Sequence, residues 1–179
     1  MTSSIWLGAG YFYIDKEMKT IIIGLGNPIL TDDGVGVKVA QRLEEIIDKD
    51  AHPELTITEA SAGGLRLMET LLGFDRVVLI DAYYLNEETK IPGSIHHLTL
   101  DDLRSVSPTQ HSTSAHDTSL VTALDAADKM GYKVPKDFSI YAVEVENILE
   151  FSETPTPAVA EAIPIVTEQI INELSLKIR

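Results

Sequence analysis

Apolar positions along this chain change their spacing from one segment to the next. Ile21-Ile22-Ile23 sits in an unbroken apolar run over residues 20–24, which predicts a buried strand. Val35, Val39, Leu43 and Ile46 or Ile47 then recur at helical spacing, with Lys38, Arg42 and Glu45 between them, so 35–49 reads as an amphipathic helix. Residues 55–59 alternate as a strand does, and Gly63-Gly64 breaks the chain before a short helix through Leu65, Met68, Leu71 and Leu72. Residues 76–81 make the clearest buried strand, and it ends in the carboxylate of Asp81. Pro92-Gly93 turns the chain into an expected edge strand over 94–100, and the Ser- and Thr-rich stretch 105–114 reads as a loop. Asp117 or Thr118 is placed to cap a helix over 120–130, which Gly131 stops. A strand over 138–145 and a closing helix over 158–174 complete the pattern, separated by Thr154-Pro155-Thr156-Pro157.

The order β-α-β-α-β-β-α-β-α predicts a three-layer α/β/α fold. It implies a mostly parallel, twisted, five-stranded sheet with helices on both faces. Residues 1–18 show no clean periodicity and read as an N-terminal extension of doubtful structure, with 19–179 as a single domain. Met18 directly precedes the first strand and would serve as the initiator. No repeat, low-complexity segment or internal linker interrupts the pattern.

Charge narrows the partners. The 179 residues carry a formal charge of −14, which repels phosphate backbones and anionic membranes. There are no cysteines, so disulfides, thiolate metal sites and a cysteine nucleophile are excluded together. Carboxylates and the five histidines remain as metal ligands. No apolar run approaches the roughly 20 residues that cross a bilayer. Asp15, Lys16, Glu17 and Lys19 also spoil the start as a signal peptide, so a cytoplasmic location is expected.

The first strand ends in Gly24-Leu25-Gly26-Asn27-Pro28 and opens onto Thr31-Asp32-Asp33-Gly34. In an open α/β sheet, ligands sit at the carboxyl ends of the strands. The bland role for Asp32 and Asp33 is to cap the following helix and oppose its dipole, worth roughly 0.3–2 kcal/mol. A cap needs one carboxylate, which leaves the other to face the crevice. Asp81 leaves the apolar core at the same edge, either as an ordinary loop start or as a site residue. His116 stands just before the helix predicted at 120–130, where a solvated loop histidine is the plain alternative. Together these are two carboxylates and an imidazole from three loops at one end of one sheet, a donor set suited to zinc, nickel or iron.

The other histidines fit less well. His96 and His97 are adjacent in a strand and point to opposite faces, so they cannot share an ion. His52 precedes Pro53 in a loop and reads as solvated. His111 lies in the polar stretch and stays open as a candidate. Gly24-x-Gly26 resembles a dinucleotide loop, but Ile29 holds the third glycine position and Pro28 interrupts the helix start, leaving only Glu59 in favour of a ribose site. Neither a G-x-S-x-G elbow nor a G-x-x-x-x-G-K-[ST] loop is present.

From about Met18 to the C-terminus, the chain resembles the hydrogenase maturation endopeptidases, which trim the C-terminal extension of a [NiFe]-hydrogenase large subunit. The resemblance rests on ordered pieces: Gly24-Leu25-Gly26-Asn27-Pro28 with Asp32-Asp33-Gly34-Val35-Gly36, Ala62-Gly63-Gly64-Leu65, Asp81-Ala82 and Pro92-Gly93. Ser114-Ala115-His116 leading into Leu120, and Val143-Glu144-Val145-Glu146, complete it. It implies catalytic and metal-site roles for Asp33, Asp81 and His116. Some members have Glu at the Asp33 position, and a Pro often stands where this chain has Ala115.

The resemblance further implies an aspartyl-type peptidase that acts as a cytoplasmic monomer on a large-subunit precursor. Nickel is carried by that substrate, and no nucleotide, nucleic acid or membrane takes part. Two alternatives remain. Gly-Leu-Gly-Asn-Pro after a first strand also occurs in peptidyl-tRNA hydrolases, although their Thr-Arg-His-Asn segment is absent here. A non-catalytic nucleotide- or metal-binding module is the other.

Overall fold

A computed structural model describes residues 3–6, 11–14, 18–61, 63–84, 90–105 and 115–179, with side chains described outside 3–6, 11–14 and 115–119. Two short strands, β1 (Ser3–Trp6) and β2 (Tyr11–Ile14), pair antiparallel in a sheet of their own. The main sheet has five strands in the order β4-β3-β5-β7-β6. They are β3 (Thr20–Leu25), β4 (Leu55–Ala60), β5 (Arg76–Tyr83), β6 (Ile95–Leu98) and β7 (Asp137–Glu144). All pairings are parallel except that of β6, which runs antiparallel at one edge.

Strand parity divides the core. Ile21, Ile23, Leu25, Val77, Leu79, Phe138 and Ile140 face one side, where α2 (Gly64–Leu71), α3 (Leu100–Ser105) and α4 (Ala115–Lys129) cover them. Ile22, Val78, Ile80, Tyr141 and Val143 face the other, beneath α1 (Val35–Ile46) and α5 (Pro157–Leu174). Runs such as Ile21-Ile22-Ile23 are apolar at every position because each residue meets a helix layer on its own face. Pro157 at the start of α5 has no N–H to lose there, and Ser175 ends the helix in the left-handed conformation at φ 51°.

Several boundaries differ from the sequence expectation. α1 stops at Ile46, and Lys49–Ala51 forms a separate 3-10 turn capped by the Asp48 carboxylate. The edge strand is shorter than expected because Thr99 starts α3. Its hydroxyl accepts the Asp102 N–H at 3.2 Å, while Asp102 Oδ2 accepts the Thr99 N–H at 2.7 Å. The Thr99 hydroxyl donating to the Asp102 carboxylate at 2.6 Å, and then the Thr99 N–H, hold that carboxyl below its ordinary pKa. A six-residue helix is too short to show a period, so only the Thr-x-x-Asp signature could have revealed it. α4 begins five residues before the helix expected at 120–130, which puts His116 in its first turn rather than in a loop. The polar stretch beyond Ser105, including His111, and the glycine-loop residue Ala62 lie outside the described residues.

His52 also departs from expectation. Its side chain is only 13% exposed, and its Nε2 accepts the Lys177 N–H at 2.8 Å. It ties the C-terminal tail to the loop after α1.

The topology places a crevice. From β3 the chain passes through α1 to β4 on one side, then returns through α2 to β5 on the other side of β3. Ligand crevices in open α/β sheets form at such a reversal, outside the carboxyl ends of the two strands. Here those strands are β3 and β5.

Candidate active site at the carboxyl edge

The loop from β3 to α1 is fixed by very close backbone approaches. Gly26 has φ +122°, and a Cβ there would lie 1.8 Å from the Asp33 carbonyl oxygen. A Cβ on Gly36 would lie 2.2 Å from the carbonyl oxygen of Ile80, the residue before Asp81. The start of α1 therefore presses directly on the end of β5, and side chains at these glycines would force it away. Thr31 adopts φ 38°, a strained value for a β-branched residue. It is held there by its N–H donating to Ser152 O at 2.9 Å and its hydroxyl donating to Glu150 O at 2.7 Å.

Asp32 and Asp33 then part company. Neither caps α1: the N-cap is Gly34, which receives no side-chain cap bond. Asp32 is fully buried and points into the loop after β7. Its carboxylate accepts N–H bonds from Thr156 at 2.7 Å, Asn147 at 3.0 Å and Glu146 at 3.3 Å, and the Thr156 hydroxyl at 3.1 Å. Four donors satisfy a charge that would otherwise be costly to bury. Asp33 stays partly exposed, with Oδ2 accepting the Asn27 N–H at 2.6 Å. Its other oxygen bonds none of the described residues.

β5 runs two residues past Asp81, where the sequence placed its end. Asp81 is 5% exposed and its Oδ1 accepts the Ala82 N–H at 2.9 Å. By parity with Val77 and Leu79 it faces the layer that contains α4. α4 runs toward the amino edge, since its end leads into the start of β7, so its first turn lies at the carboxyl edge. His116 is carried on that turn, but its side chain lies outside the described ones. Asp33, in the loop after β3, and Asp81, on the adjacent strand β5, thus belong to one edge of the sheet, and the backbone of His116 belongs to the helix over the same face as Asp81. Among the described residues, no three His, Asp or Glu side chains group closely enough to hold a metal ion. A metal set here would need a ligand from outside the described side chains, such as the His116 imidazole.

The sequence reading passed over one pair. Glu144 is almost fully buried near the end of β7, where its Oε2 accepts the Ile91 N–H at 2.5 Å and its Oε1 lies 2.6 Å from His96 Nε2. His96 and Asp81 are both in register with Ala142, from opposite sides of β7. The signal was a carboxylate at an inward position of a buried strand. His97 does point the opposite way, beside Ser139 and Tyr141. There burial and the Glu173 carboxylate raise the Tyr141 hydroxyl above its ordinary pKa.

Comparison with known proteins converges on one family. The hydrogenase maturation protease family model matches residues 37–173. The hydrogenase 2 maturation protease of Escherichia coli is 26% identical over 157 residues, covering 88% of this chain and 91% of that protein. A hydrogenase expression/formation protein of Rhodobacter capsulatus is 23% identical, covering 89% of this chain and 72% of that protein. The solved structure of the E. coli hydrogenase-maturating endopeptidase HybD shares the fold with TM-score 0.71 at 23% identity, covering 90% of this chain and 96% of that one. A [NiFe] hydrogenase maturation protease from Thermococcus kodakarensis gives TM-score 0.66 at 21% identity, over 90% and 95% of the two chains. With the family model spanning most of its length, and its fold that of the solved proteases, this chain belongs to the hydrogenase maturation protease family.

Proposed function

We propose that this protein is an endopeptidase that removes the C-terminal extension of a [NiFe]-hydrogenase large-subunit precursor once nickel has been inserted. The observation that carries the reading is that Asp33, in the loop after β3, and Asp81, near the end of the adjacent strand β5, belong to one edge of the sheet in a chain of this peptidase family. Family membership favours it over a peptidyl-tRNA hydrolase or a nucleotide-binding module, and the −14 charge separately disfavours tRNA.

In this reading the substrate brings the nickel. The carboxylates of Asp33 and Asp81 and the imidazole of His116 receive that ion, which sets the scissile peptide beside them. A carboxylate then takes a proton from the attacking water and passes it to the leaving amine. The enzyme works in the cytoplasm as a monomer and needs no nucleotide.

The test is a gel-shift assay of precursor processing with nickel-loaded and nickel-free substrate. Wild-type protein should cut only the loaded precursor. Efficient cutting of the nickel-free form would refute the role of the substrate's ion, and no cutting of either would refute the activity.

A further inference from the structure

Beside Asp33, two loops that belong to different parts of the sequence are stitched into one surface. Leu30 and Ser152 form a parallel bridge, the Ser152 N–H donates to Ile29 O at 3.0 Å, and the Asp32 N–H donates to Asn147 O at 3.0 Å. The buried Asp32 carboxylate completes the seam. On its outer side stand large apolar side chains that the described residues leave largely uncovered: Leu149 is 84% exposed, Phe151 80% and Ile29 47%. Ile29 and Phe151 immediately precede the two bridged residues, so the bridge brings them alongside each other.

Exposed leucine and phenylalanine on a rigidly hydrogen-bonded loop are costly to solvate and mark an interaction surface when they cluster. Charge identifies the partner's chemistry. Glu146, Glu150 and Glu153 are exposed among these apolar residues. No lysine or arginine occurs from Thr20 to Val37 or from Asp137 to Leu176, the stretches that build this surface. An anionic membrane is therefore repelled, and so is a second copy of the same acidic strip.

We propose that Ile29, Leu149 and Phe151 form a docking strip for the large-subunit precursor, taking an apolar segment of that polypeptide flanked by lysine or arginine side chains. The inference rests on the peptidase reading and adds where the substrate is gripped. Asp33 and Ile29 share one loop, so a segment seated on the strip continues directly into the crevice. The seam fixes the strip relative to Asp33, and docking there contributes binding more than chemistry.

The experiment compares the full-length wild type with the Leu149→Ser/Phe151→Ser double variant on nickel-loaded precursor, together with direct precursor binding and sedimentation. Both side chains lie in solvent, so melting temperature and circular dichroism should match the wild type. KM and the binding constant should each weaken about tenfold or more, with kcat within about twofold. The Glu146→Gln/Glu153→Gln variant should show a flatter dependence of KM on salt. Unchanged KM and binding in the first variant would overturn the strip while leaving the peptidase reading intact. A wild-type dimer that the double variant dissolves would overturn it in favour of self-association. A wild type that binds but does not cut the precursor would defeat the peptidase reading alone.

Discussion

The two ends of the central sheet treat their carboxylates in opposite ways. At the amino edge, acids meet cations: Asp137 accepts from Arg76 Nε at 2.5 Å where β5 and β7 begin, and Asp75 lies 2.5 Å from Lys133 Nζ. At the carboxyl edge, Asp32, Asp33 and Glu144 have no lysine or arginine partner among the described residues. They are held by backbone N–H groups, one hydroxyl and His96. Exposed ion pairs neutralise charge and contribute little else. Carboxylates held by amide dipoles have no cation set against them, and acidic side chains gathered at one edge contribute to a field that favours cations. One end of the sheet thus pairs its acids with cations, while the other holds its acids on uncharged donors and a histidine.

Substitutions can break this contrast. Asp81→Asn should have the largest effect, because the amide keeps the shape of the side chain but loses its charge and basicity. Precursor cleavage should fall by about a hundredfold or more, with the melting temperature near that of the wild type, and His116→Ala should do the same. Full activity in either variant would remove it from the site.

Asp32→Ala comes next and separates structure from chemistry at the same edge. It strands four donors that now meet a buried carboxylate, at a cost of roughly 3–5 kcal/mol. For a chain of this size that is a fall of about 6–20 °C in melting temperature by calorimetry. A variant that melts with the wild type would show that the two loops do not depend on this carboxylate. Arg76→Ala should have the smallest effect, since the Arg76 and Asp137 side chains are both partly exposed. About 1 kcal/mol or less by denaturant titration, with cleavage unchanged, is the expected outcome. A large loss of activity would erase the distinction between the two edges.

Much of the fold was legible because its signals are local. Ile21-Ile22-Ile23, the helical period from Val35 to Leu43 and the alternating strand at Leu55 each report burial through their own sequence. Asp33 and Asp81 stood out as candidates because acids near the carboxyl end of a buried strand lie at the edge where ligands bind. The short helix α3 was missed because six residues hold too little periodicity. The early start of α4 was missed because its first turn is polar.

Sequence by itself determined the α/β class, the near absence of cations around the site loops, and which residues could act chemically. Only the tertiary structure gave Asp32 and Asp33 their different partners. Their neighbours in the chain are shared, but one carboxylate meets N–H groups from residues 146–156, more than a hundred positions away, while the other remains beside the crevice. The same holds for Glu144 with His96, and for Ile29 with Phe151. A side chain's type is written locally, but its partner is set by strand order and loop closure, which bring together residues that sequence spacing cannot relate.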